Sequence, residues 1–151
     1  MSVATAADPF DLARFIAAQA PVWLDVVDEL RSGRKTGHWM WFVFPQLRGL
    51  GSSAMAERFG LSGLDEAEAY LAHAVLGPRL REAVALVAAH RDDAPDLIFG
   101  ETDAMKLCSC LTLFAAAAPG EPCFMGLLRS AFAGRPDPRT LDRLGADDDA
   151  P

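Results

Sequence analysis

Two short stretches bring together side chains that could do chemistry. In GRKTGHWMWFVFPQL (residues 33–47), Lys35, His38 and Gln46 frame Trp39 and Trp41. In FGETDAMKL (residues 99–107), Asp103 and Lys106 are three residues apart near a helix start, so they share a side of that helix. An aromatic wall with a few convergent polar groups is the usual make-up of a small-molecule site. In such a site Trp39 or Trp41 stacks on a base or a sugar face, Lys35 anchors a phosphate, and Gln46 stands at the rim. Asp103 stabilises positive charge developing at a sugar carbon, and His38 moves a proton. Lys106, beside a carboxylate, serves as a tuned nucleophile or an anion anchor. His38, Asp103 and Lys106 are thus the candidate catalytic residues, and Lys35, Trp39, Trp41 and Gln46 candidate ligand-binding residues.

A third stretch, YLAHAVLGPRLRE, adds His73 and Arg79 to the ligand-binding set. His73 falls at a helix end where a cation is favourable, and Arg79 can grip a phosphate with its bidentate fork. Plainer readings stand beside these. The aromatic run also suits a core element whose buried indole N–H groups are accepted by His38, Gln46 or backbone carbonyls. Asp103 and Lys106 also suit a capping aspartate with a surface ion pair, contributing under about 1 kcal/mol. His73 and Arg79 suit capping and solvation, and His90 a charge at the end of its own helix. A further alternative, an exposed aromatic docking patch, fails if both indoles are almost fully buried.

Residue usage sharpens the choice. The chain has fourteen basic residues, of which only Lys35 and Lys106 are lysines, and its only glutamines are Gln19 and Gln46. Where arginine supplies nearly every positive charge, a lysine stands out for its compact ammonium and tunable pKa.

The elements that must position these groups read as helices. Asp8 is an N-cap with Pro9 at the first helical position, and Leu12, Phe15, Ile16 and Gln19 follow on one face. A second helix restarts at Pro21, carries Trp23, Val26, Val27 and Leu30, and stops at Gly33. WMWFVF is ambiguous between helix and strand, and Pro45 interrupts it. Ser52 or Ser53 caps a short helix through Phe59; LDEAEAYLAH and LGPRLREAVALVAAH supply two more. APDLIFG is a short turn of helix, and Thr102 caps an apolar helix that Pro119-Gly120 ends. EPCFMGLLRSAFAG is the last long helix, with one more turn in DPRTLDRL. The expected fold is all-α: one compact domain of about seven or eight helices in an irregular orthogonal bundle. The domain spans residues 8–144, after a disordered or extended segment 1–7 and before an acidic flexible tail 145–151.

A chain of 151 residues can bury about 70% of its unfolded surface, enough to fold without metals or disulfides. The net charge of −7 argues against nucleic acid or an anionic membrane as partner. Three cysteines, Cys108, Cys110 and Cys123, form no disulfide framework. Cys108 and Cys110 point to different faces of a helix, so no metal site is expected. No cofactor motif, signal peptide or membrane-spanning run is evident. The expected protein is cytoplasmic, with a nucleotide or sugar phosphate as its ligand; the sequence leaves its oligomeric state open.

The segments DPFDLARFIAAQ, GRKTGHWMWFVFPQLRGLGSS, YLAHAVLGPRLRE and IFGETDAMKLCSCLTLF resemble successive motifs of a bacterial family known as domain of unknown function 1810. The resemblance runs over residues 8–144 and implies a mainly α-helical single domain without an assigned activity. By motif it carries over Lys35, His38, Trp39, Trp41, Pro45, Gln46, His73, Asp103 and Lys106. Where the family pattern reads Lys-Leu-Arg-Ser-Ser, this chain has Lys106-Leu107-Cys108-Ser109-Cys110, so the family's arginine has no counterpart here. The order of elements is more loosely similar to small α-helical N-glycosidases acting on ADP-ribosylated or riboflavin-pathway nucleotides. That likeness, which is analogy alone, implies a hydrolase; the alternative is a non-catalytic ligand-binding or protein-interaction module.

Overall fold

The structure, a computed structural model, describes residues 7–148. Among these residues it is all-α, with ten helices. They are α1 (Ala13–Gln19), α2 (Trp23–Ser32), α3 (Met40–Val43), α4 (Ala54–Phe59), α5 (Leu64–Ala72), α6 (Leu76–Ala88), α7 (Pro95–Phe99), α8 (Glu101–Ala117), α9 (Pro122–Phe132) and α10 (Pro138–Asp148). The count exceeds the expected seven or eight because the ambiguous run adds α3, and because the short pieces α4 and α7 and the final turn, which lengthens into α10, all stand as helices of their own. The ambiguous WMWFVF run resolves as α3. Its flanks take a single parallel bridge, Leu47 to Leu61, in place of a strand.

The most apolar helix, α8, is central and packs against α5, α7, α9 and α10. One string of aromatic contacts runs Phe42, Phe59, Phe15, Tyr70, Phe114, Phe124 through the interior. A second, Trp39, Phe44, Phe99, joins the 33–47 stretch to α7. All of these rings are buried, so the aromatic run is first of all core. Each such side chain contributes on the order of 3–5 kcal/mol relative to alanine.

The caps correct several expectations. Asp8 does cap, but its carboxylate accepts from the backbone N–H of Leu12 and Ala13, so α1 begins later than Pro9. Helix α8 begins at Glu101 after Gly100, and Thr102 lies inside it. Ser53 caps α4 through its hydroxyl, and Gly33 ends α2 in a left-handed conformation (φ 77°), both as the sequence indicates. His90 does not serve its own helix. Its Nε2 lies 3.0 Å from the Leu30 carbonyl and 3.1 Å from that of Arg31, closing the C-terminus of α2. Helix α10 runs past residue 144 to Asp148, so the first residues expected as a flexible tail are helical, and Asp137 anchors the start of that helix. The Asp137 carboxylate accepts from Thr140 and from the Ser109 hydroxyl of α8. The expected N-terminal segment 1–7 and acidic tail 145–151 otherwise lie, apart from residues 7 and 145–148, outside the described residues.

Candidate functional site

The chain's two lysines meet on one carboxylate. Lys35 Nζ lies 2.7 Å from Asp103 Oδ2, and Lys106 Nζ lies 3.1 Å from Asp103 Oδ1. Each ammonium also overlies one indole of the motif: Lys35 is 4.9 Å from the centroid of Trp39, and Lys106 is 5.0 Å from that of Trp41. The arrangement is a carboxylate between two ammonium groups, each seated on an aromatic face, where a cation is attracted by the ring's quadrupole.

Three elements build it. Asp103 sits in the first turn of α8, where the helix dipole favours a negative charge. Lys106 follows one turn later on the same side. Lys35 lies in the segment between α2 and α3; its backbone N–H donates to the Ile98 carbonyl of α7, and its ammonium donates to the Gly37 carbonyl. That segment is organised by a residue the sequence reading missed. One oxygen of Glu29, in α2, accepts from the backbone N–H of Thr36 (2.7 Å) and Gly37 (2.8 Å) and from the indole N–H of Trp39 (3.1 Å). Glycine is needed at 37, since a Cβ there would fall 2.7 Å from Trp39 Cδ1. The available signal for Glu29 was generic: a buried indole needs an acceptor, and an acidic residue stands four positions before the helix stop at Gly33.

Electrostatics follow this geometry. Burial pushes the Asp103 carboxyl up, but hydrogen bonds and charge from Lys35 and Lys106 outweigh it and hold Asp103 below its ordinary value. At Glu29 burial also pushes upward, and the donors Gly37, Thr36 and Trp39 overcome it, so that carboxyl too lies below its ordinary value.

The two halves of the cluster differ in exposure. The Lys35 side chain is 7% exposed and Trp39 is 2% exposed, whereas Lys106 is 22% exposed and Trp41 is half-buried. Full burial of Trp39 removes it from any exposed docking patch.

The remaining predicted residues are distributed elsewhere. His38 is exposed and, among the described residues, enters no hydrogen bond or ion pair. Neither His38 nor Gln46 accepts from the buried indole, because Glu29 holds that position. Gln46 is buried beside Gly51, and its backbone carbonyl accepts from Leu61 at the bridge. His73 does stand at a helix end, that of α5, but its Nδ1 accepts from the backbone N–H of Val75 (3.1 Å) and Leu76 (3.3 Å), so its ring caps the start of α6. Accepting requires an unprotonated Nδ1. Arg79 donates to Gln19 Oε1 at 3.2 Å and lies 5.2 Å over the Trp23 ring. Gln19 is a second missed residue, signalled by a glutamine on an otherwise apolar helix face. The expected pair Asp103–Lys106 is therefore joined by Lys35, Trp39 and Trp41, while Gln46, His73 and Arg79 have partners of their own.

The cysteines are dispersed. Cys110 is fully buried on α8, which drives its thiol pKa well up; Cys108 faces the Arg135 carbonyl and Cys123 faces Glu121. Ser109, on the same side of α8 as Lys106, is drawn away to Asp137.

A search of curated proteins finds no match. Among solved structures, the chain is similar to the conserved hypothetical protein Rv1873 from Mycobacterium tuberculosis. Sequence identity is 56%, with 91% of this chain and 99% of that one covered, and the TM-score is 0.90. The lysine–aspartate–indole cluster lies within the stretch, residues 9–144, that matches the family described as "Protein of unknown function (DUF1810)", and the chain belongs to that family.

Proposed function

We propose that this protein binds an anionic small molecule of the nucleotide or sugar-phosphate type at the Lys106–Trp41 side of the cluster. The observation that carries this is the convergence of the only two lysines on Asp103, each over a motif indole. Two ammonium groups share one carboxylate there, in a chain whose net charge is −7. Lys35 is enclosed and committed to Asp103 and Gly37, whereas Lys106 has Asp103 as its one polar partner among the described residues and a more exposed side chain. A phosphate meets Lys106, and a base or sugar ring meets the exposed part of Trp41, with His38 nearby in sequence. Three thiols without a disulfide partner suit a reducing compartment, and we place the protein in the cytoplasm.

Hydrolysis of an N-glycosidic bond is the second reading, favoured by an Asp103 held ionised and an exposed, unbonded His38. Both Asp103 oxygens are taken by lysines. Lys106 would have to turn to the ligand's phosphate, freeing Oδ1 to face the sugar carbon. The carbon–nitrogen bond breaks with its electron pair leaving on nitrogen. Water adds to the carbon, and its proton passes through His38 to the departing base.

The test is a panel of AMP, ADP-ribose, NAD, FMN and ribose 5-phosphate, read by thermal shift and by release of free base. A ligand at a hundred times its Kd stabilises by about 2.7 kcal/mol. Saturable stabilisation by a panel member, lost in Lys106→Ala, is expected. No stabilisation by any member overturns the binding reading, and no base release overturns the hydrolytic one.

A further inference from the structure

The half-buried arginines are three, Arg14, Arg79 and Arg81, and they are not alike. Arg14 donates to the carbonyls of Phe10, Asp11, Arg58 and Gly60 and pairs with Glu66 at 2.9 Å. Arg81 grips both oxygens of Glu121 and the Leu71 carbonyl. Arg79 has one partner, the neutral side-chain oxygen of Gln19. Among the described residues no carboxylate comes within ion-pair distance of it, although acidic residues outnumber basic ones by twenty-one to fourteen.

The brace that holds Arg79 is unusually complete. Gln19 is 1% exposed, and its Nε2 donates to the Phe42 carbonyl (2.7 Å) and to the Tyr70 hydroxyl (3.1 Å). Because a carbonyl can only accept, the amide is fixed with its oxygen towards Arg79. The guanidinium lies over the Trp23 ring, 5.2 Å from its centroid. One Nη1 is thereby held, while Nε and Nη2 have no protein acceptor among the described residues. A guanidinium held at one nitrogen, with two donors free along one edge, matches the two oxygens of a carboxylate or phosphate. Arg79 also stands in the first turn of α6, where the dipole favours an anion.

We infer that Arg79, braced by Gln19 and Trp23, is a second anion-binding site, taking an oxyanion presented by a small molecule. It uses none of the residues of the lysine cluster and stands or falls separately from the function proposed above.

The test is an NMR titration of the full chain with inorganic phosphate and, separately, with acetate, at ionic strength held constant with chloride. The Arg79 side-chain N–H and the Trp23 indole N–H are followed. Saturable shifts of both with either probe are expected, and the probe that saturates tells phosphate from carboxylate. Arg79→Lys keeps the charge but loses the fork, and should weaken the effect at least about tenfold; Arg79→Gln should abolish it. Absence of saturation in the wild type with both probes overturns the inference. So does an undiminished response in Arg79→Lys, or a response lost in Lys106→Ala and kept in Arg79→Lys; the latter would assign the anion to the lysine cluster.

Discussion

The Lys35–Trp39 and Lys106–Trp41 halves of the cluster share Asp103 and have the same composition, an ammonium over an indole, yet they differ in burial. The first is closed. Trp39 is wedged into the core against Phe44, its N–H is taken by Glu29, and Lys35 is bonded on two sides. The second is open, with a half-buried indole and an ammonium whose one charged partner is Asp103. One lysine is enclosed with the aspartate, while the other keeps part of its side chain in contact with solvent. A charge buried with its partners is expensive to disturb, and a pair with more solvent contact less so.

Several substitutions would break or sharpen that contrast. The largest expected effect is at Trp39: Trp39→Ala should cost about 3–5 kcal/mol in denaturant unfolding, and Trp41→Ala clearly less. Equal losses at the two indoles would erase the distinction between a closed and an open half. Next comes Lys35→Met, which leaves the aspartate with one partner and should cost roughly 1–3 kcal/mol, without weakening the native secondary structure seen by circular dichroism. Glu29→Gln should follow at roughly 1–2 kcal/mol, since the three donors on its oxygen lose a charged acceptor. Hydrogen exchange at the Thr36 and Gly37 amides would report the loosened segment directly; unchanged protection there would show that Glu29 does not organise it.

The acid limb offers a subtler measurement. A carboxyl whose pKa is lowered by folding adds stability that is complete above its unfolded pKa and lost as pH falls through the folded one. For Asp103 the loss begins near the ordinary value of 3.8 and continues below it, and for Glu29 near 4.5. Asp103→Asn should therefore be less stable than the wild type at neutral pH, with the gap closing in acid. A gap that stays constant from pH 6 to 2.5 would mean that the lysines do not stabilise its ionised form. The smallest effect is at Lys106→Ala, under about 1 kcal/mol on stability, set against loss of ligand-induced stabilisation. A large stability loss there would make Lys106 a structural twin of Lys35.

Much of this was legible beforehand because helices announce themselves locally. Gly33 as a stop, Ser53 as a cap and the apolar face of α8 are decided within a few residues, where glycine conformation, hydroxyl capping and period rule. The short helix α3 was harder, since one turn has no period to read, whereas α7 was marked by its proline and by Gly100. Capping by a side chain from elsewhere was invisible: His90 closes α2 from sixty residues away, and His73 turned out to cap the helix after it.

The site divides along the same line. Scarcity of lysine and the spacing of Asp103 and Lys106 were in the sequence, because i,i+3 neighbours on a helix meet whatever else happens. The fold class was there too, in the period of the apolar residues and the placement of proline and glycine. That Lys35 would reach Asp103, that Glu29 would take the indole N–H, and that Arg79 would be held by Gln19 were decided by tertiary packing alone. Those contacts join residues from ten to sixty-eight positions apart, and which of many available polar groups meet over such distances depends on how buried aromatic surfaces pack. The sequence determined which groups were scarce and which stretches were helical. The packing of α8 against its neighbours and against the 34–39 segment determined which of those groups share a carboxylate and which face solvent.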